Sequence, residues 1–230
     1  MRSAPPGCLS LLFLGLLLLL PFVLANALLT ALGKLGLGPT SSLLAALGIF
    51  LGSTVNIPVA RIEHERPVDY LPNRLLGLHR LFPQPVQRRT YTVIAVNVGG
   101  CLVPTALAGY QAARLALEVP SVLPAAAAAL LINVAVCYYL ARPVPDTGIA
   151  MPAFVPAGAA ALCALILTPE WAPPVAFTAG VLGPLIGADF FHLDDIAEVG
   201  TGMASIGGAG TFDGIVLSGL VATLLVPGAL

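Results

Sequence analysis

Long apolar runs recur from one end of the chain to the other, broken by short polar or proline-rich punctuation. A helix crossing a bilayer needs roughly 20 such residues. The pattern predicts about seven spans, at 8–30, 41–60, 92–112, 122–141, 149–168, 174–191 and 211–229. The breaks between them read as turns. Gly38-Pro-Thr-Ser-Ser42 caps the second helix, and proline-containing turns fall at Glu118–Ser121, Arg142–Asp146 and Thr168–Pro174. The one long connection is 61–90, where Leu75, Leu78 and Phe82 among Arg74 and Arg80 suggest a short interfacial helix within an otherwise ordinary cytoplasmic loop. Gly207, Gly208, Gly210 and Gly214 weaken any helix just ahead of the last span, so a non-helical, re-entrant segment is expected there. The fold class that follows is all-α: a single polytopic transmembrane helix bundle over residues 1–230.

Composition sharpens the class. Hydrophobic residues make up 58% of the chain and charged residues 9%, with mean hydropathy +0.96, which excludes an ordinary soluble domain. Six of the ten Lys and Arg fall between Arg61 and Arg89. Placing 61–90 in the cytoplasm also puts Arg2 and Arg142 inside and leaves Lys34 and Arg114 outside, the bias that cytoplasmic loops show. The reading is therefore a multi-pass protein of the cell's inner (plasma) membrane, N-terminus cytoplasmic, with the lipid bilayer as its surroundings and a second copy or a membrane-complex subunit as a candidate partner. The basic cluster has no aromatic stacking platform, so no nucleic acid is expected. His64-Glu65 lacks the second His of a zincin, and the four cysteines, scattered singly over apolar segments, read as small buried hydrophobes. Arg2, the apolar run and Ala25-Asn26-Ala27 imitate a secretory signal, but the apolar stretch reaches Leu32, which favours an uncleaved first span.

The chemistry lies in the second half. Residues 143–230 hold seven carboxylates and no Lys or Arg. Asp194, Asp195 and Glu198 read as loop acids or a helix cap, whereas Asp189 sits inside an apolar helix and Asp213 at the start of the last span. A carboxylate in apolar surroundings needs a cation, a proton or several hydrogen bonds. His192, three residues from Asp189, could share a proton with it or join it on a metal. Asn56, Asn97 and Asn133 are expected to point inward, as interhelical glue or as supporting groups. Pro58 after Asn56 and two glycines after Asn97 would loosen those helices and free backbone carbonyls.

Three functions fit these residues. The first is cation- or proton-coupled transport, with Asp189 and Asp213 as ligands or proton carriers and His192, Asn56, Asn97, Gly207, Gly208 and Gly210 in support. It needs no cofactor beyond a bound cation, and any metal would fall to Asp189, His192 and Asp213. The second is a non-catalytic scaffold or accessory subunit. The third is intramembrane aspartyl hydrolysis by Asp189 and Asp213. Gly208-Ala-Gly210 ahead of Asp213 only partly matches the Gly-x-Gly-Asp signature, since two residues intervene.

The segments Gly52-Ser-Thr-Val-Asn-Ile-Pro58, Ala95-Val-Asn-Val-Gly-Gly100, Ala141-Arg-Pro-Val-Pro145, Gly148-Ile-Ala-Met-Pro152, Leu185-Ile-Gly-Ala-Asp189 and Ser205-Ile-Gly-Gly-Ala-Gly-Thr-Phe-Asp-Gly214 together resemble domain-of-unknown-function family 1614, prokaryotic multi-pass membrane proteins. The resemblance implies that these polar and glycine segments form one design. It brings no activity. Asp146 stands where the resemblance leads one to expect a small residue, which lowers its functional weight.

Overall fold

The computed structural model describes residues 6–66, 88–144, 148–152, 154–193, 195 and 202–228. Among these residues it is mostly helical, with seven helices: α1 (Pro6–Lys34), α2 (Pro39–Gly52), α3 (Val103–Glu118), α4 (Leu123–Leu140), α5 (Val155–Leu167), α6 (Ala172–Pro184) and α7 (Gly214–Leu225). Six of them open on proline in the first turn, at Pro6, Pro39, Pro104, Pro124, Pro156 and Pro173. The missing N–H costs nothing there because the first turn has no intrahelical acceptor for it. With their leading and trailing turns, two helices among the described residues are long and apolar enough to cross a bilayer, Pro120–Leu140 and Pro169–His192. Leu18–Lys34, Pro39–Gly52, Val155–Leu167 and Gly214–Leu225 are shorter apolar helices.

The expected all-α bundle is corrected by strands. β1 (Asn56–Arg66) and β2 (Arg88–Asn97) form an antiparallel hairpin, and β5 (Met203–Ile206) pairs parallel with β2. A second hairpin joins β3 (Arg142–Val144) to β4 (Gly148–Ala150). The second predicted span is therefore helix only to Gly52, and the third starts as strand, turns at Val98–Leu102 and becomes helix at Val103. Both ends of the supposed 61–90 loop are strand. The physical reason is composition: Thr90, Thr92, Val93, Ile94 and Val96 are β-branched, which favours extended backbone whatever the mean hydropathy. The expected interfacial helix lies outside the described residues, as do Asp146, Asp194 and Glu198.

α6 is the axis of the bundle. Nearly every residue on it is buried, and it packs against α3, α4, α5 and α7. A small-residue face on this helix and the turn after it does this packing. Gly180 lies against Ser218 and Gly219 of α7, while Gly183 and Gly187 lie against Asn133 and Val134 of α4. Much of the core is alanine, including Ala129, Ala157, Ala160, Ala164, Ala176 and Ala222. Large apolar side chains face outward instead: Phe22 is 75% exposed, Leu131 67% and Phe154 72%. Asn133 is fully buried and donates to Ala179 O at 2.7 Å, so it is interhelical glue between α4 and α6.

α7 is held at both ends. Asp213 accepts from Ile215 N at 3.0 Å and caps its start. Lys34 Nζ, at the end of α1, donates to the carbonyls of Thr223, Leu224 and Val226 at 3.4, 3.0 and 2.7 Å. These carbonyls have no partner within the helix, and a cation suits the negative end of its dipole. Lys34→Met is expected to lower stability by about 2 kcal/mol, the range of hydrogen bonds to a charged group. Chemical unfolding of the detergent-purified protein measures it, and Lys34→Arg is expected to recover part of the loss.

Candidate functional site

Three chain junctions meet at one place: α2 into β1, β2 into α3, and β5 into α7. Asn97 ends β2 and is fully buried. Its Oδ1 accepts from Gly100 N at 2.7 Å, capping the π-helical turn Val98–Leu102. Its Nδ2 donates to Ser53 O at 2.9 Å and to Asn56 Oδ1 at 3.0 Å. Ser205, on β5, donates to the same Asn56 Oδ1 at 2.6 Å. Ser53 Oγ donates to Ile49 O at 2.6 Å and lies 2.9 Å from Thr211 Oγ1. One amide and its neighbours thus tie the second, third and last helices to the sheet. Asn56 takes part but remains exposed, contrary to its expected inward placement, because it starts a strand at the surface of the bundle.

Glycine permits the crossing. Gly99 lies against Ile49 O and Gly52, and Gly100 lies against the Gly207 carbonyl. Gly207 and Gly210 have φ of +71° and +62°, where other residues are strained, and Gly210 packs on Ser53. Gly208 lies on Ser205. The predicted Gly207, Gly208 and Gly210 therefore do come together with Asn56 and Asn97. They serve close backbone packing, and the Gly207 carbonyl faces Gly100. The expectation of a non-helical segment here is met by β5 and two tight turns. Sequence reasoning does not single out Ser53, Ser205 and Thr211, although each adjoins one of the glycine segments, and that is the signal that could find them.

The two aspartates flank this junction. Pro184 lacks the N–H that would continue α6, and the chain widens into a π-helical turn over Leu185–Asp189. Asp189 ends that turn, half-buried. Asp213, also half-buried, reaches back to Ala209 N at 3.3 Å with its second oxygen. No described residue donates a hydrogen bond to Asp189, and no described cation pairs with either carboxylate. His192 is not brought to Asp189. Its Nδ1 lies 3.0 Å from Ala188 O, and its ring stacks at 5.1 Å on Tyr138 of α4. Among the described residues no three His, Cys, Asp or Glu side chains form a group able to hold a metal, so Asp189, His192 and Asp213 are not assembled as one.

A family model described as protein of unknown function (DUF1614) matches residues 50–225. The chain belongs to this family. The DUF1614 match takes in all three junction segments, both aspartates and the whole of α3 to α7, and begins near the end of α2. No curated protein and no solved structure matches the chain.

Proposed function

We propose that this DUF1614 protein is a multi-pass protein of the inner (plasma) membrane, its N-terminus cytoplasmic, in which Asp189 and Asp213 bind a cation or carry a proton, most simply in coupled transport. The bilayer reading rests on the inverted side-chain distribution. Small residues pack the helices and large apolar ones face out, as expected where the surroundings are hydrocarbon. Seven helical segments, six of them apolar, then traverse or enter the membrane. The observation that carries the site is the half-buried Asp189 carboxylate, which no described residue bonds and no described cation pairs with, together with the half-buried Asp213 at the start of the last helix. A carboxylate so placed favours a proton or a bound cation.

A second reading has its own support. Asp213 is already engaged as a helix cap, and the junction's polar groups bond one another. That suits a scaffold or accessory subunit, whose partner would be another membrane protein or a second copy. Asp213→Asn separates the two readings, because Asn caps about as well as Asp but carries no charge. In the ion-site reading, thermal unfolding of the detergent-purified protein rises with added cation or shifts with pH. Asp189→Asn and Asp213→Asn both abolish that response while remaining folded. In the scaffold reading neither substitution changes the cation or pH response, which would overturn the ion site. Cleavage of a transmembrane peptide, lost in both variants, would instead favour the aspartyl hydrolase.

A further inference from the structure

The end of the bundle away from the aspartates holds a cavity of about 480 Å³, within the size range of small-molecule sites. It lies where α1, α3 and α7 end and α6 begins. Its lining includes Lys34, Gly36, Arg114, Glu170 and Trp171. Lys34 supplies positive charge, but its amine protons are engaged by the α7 carbonyls. Arg114 gives Nε to Glu118 at 2.9 Å and one Nη to Leu35 O at 3.1 Å, which leaves further N–H groups of its fork free of any described partner. The pairing with Glu118 raises the Arg114 pKa above its already basic ordinary value, so the guanidinium is permanently charged. Gly36, at φ +76°, seats it: a Cβ there would come within 2.6 Å of Nη1. Glu170 is exposed and makes no hydrogen bond to a described residue, and Trp171 beside it is half-buried. The cavity thus presents a guanidinium fork, already paired with Glu118 but with N–H groups to spare, a carboxylate with no described partner and an aromatic ring.

We propose that this cavity holds the headgroup of an amine-bearing zwitterionic glycerophospholipid. The phosphate would sit on Arg114 in the field of Lys34, and the ammonium on Glu170 against the Trp171 ring. Guanidinium forks match phosphate oxygens, and a carboxylate with an aromatic face suits a primary ammonium. The lipid source is favoured over a free phosphate ester because the site lies at helix ends. There Leu117, one turn from Arg114 and 85% exposed, offers an apolar wall for an acyl chain. Tryptophan and basic side chains are also the residues that gather at a bilayer's interface. The proposal rests on the bilayer reading above. That reading fails separately, if the protein is recovered soluble without detergent.

The test is lipid retention by the full chain, delipidated in detergent and offered defined lipids, read by native mass spectrometry. Phosphatidylethanolamine is expected to be retained about tenfold more strongly than phosphatidylcholine, a difference of about 1.4 kcal/mol. Glu170→Gln, at an exposed position, is expected to fold normally and to erase that preference. Arg114→Lys, which keeps the charge but not the fork, is expected to weaken retention of both lipids. Equal retention of the two lipids by the wild-type chain would overturn the proposal, as would a preference that survives Glu170→Gln. Free phosphoethanolamine displacing the lipid at equal concentration would overturn the lipid assignment in favour of a soluble phosphate ester.

Discussion

Gly100→Ala is expected to destabilise the protein by about 3 kcal/mol or more, the upper range for forcing an extra methyl into packed backbone. The new Cβ would land on the Gly207 carbonyl oxygen and crowd Gly210 Cα at 3.0 Å. Neither neighbour is a flexible side chain, so the turn after β5 or the turn after β2 has to move, and the Asn97 cap moves with it. Gly109→Ala is the matched control. It lies in the middle of α3 with nothing within 4 Å of its Cβ position. There alanine is expected to be neutral or to stabilise by about 0.5–1 kcal/mol, since glycine is the poorer helix former. Denaturant unfolding of both variants in the same detergent checks the pair. Equal effects at the two positions would show that the junction is not tightly packed.

Asn97→Ala is expected to cost about 3 kcal/mol, roughly one for the lost cap and more for the buried groups left without partners. Gly100 N, Ser53 O and Asn56 Oδ1 all lose a bond to this one side chain. Asn97→Asp is expected to be worse than Asn97→Ala. It keeps the acceptor for Gly100 N but turns a carboxylate oxygen toward Ser53 O and Asn56 Oδ1, and a buried charge facing two oxygens is strongly disfavoured. The order of the two unfolding midpoints is the measurement. An Asn97→Asp variant as stable as the natural chain would mean that Nδ2 makes no contribution.

Much of this architecture is legible in the amino-acid sequence. The helices over 122–141 and 174–191 follow from apolar length, and the glycine face of the sixth helix from its four-residue spacing. Three of the segments that carry the family resemblance, 52–58, 95–100 and 205–214, are the ones that converge on Asn97. The strands escape such a reading because averaging hydropathy over twenty or so residues, the width of a span, merges a short extended run with the helix beside it. Thr92-Val-Ile-Ala-Val96 is as apolar as any span, yet it is a strand whose side chains point to alternate faces of a sheet, with Thr92, Ile94 and Ala95 buried. The pairing of His192 with Asp189 fails for a different reason. The three-residue spacing assumes a regular α-helix, whereas the chain there is a π-helical turn followed by a tighter one, which turns the ring toward Tyr138. The cap on α7 is readable from the Gly214 and apolar run that follow Asp213. The meeting of Ser53 with Thr211 is not, because no local pattern encodes a contact between residues so distant in sequence.

That distance bears on how the protein is made. The parallel pairing sets Ala95 beside Ser205, and β5 therefore reaches β2 only after α3, α4, α5 and α6 have been synthesised. Until then Gly100 lacks its Gly207 neighbour, and Asn56 has only one of its two hydrogen-bond donors. The junction closes late, and closing so long a loop is slow. During synthesis the early helices wait in a loosely tied arrangement, and the arrival of the last strand and helix locks them. A nascent chain halted before Ser205 is therefore a partly assembled bundle with its polar junction open, the form that a quality-control protease would meet.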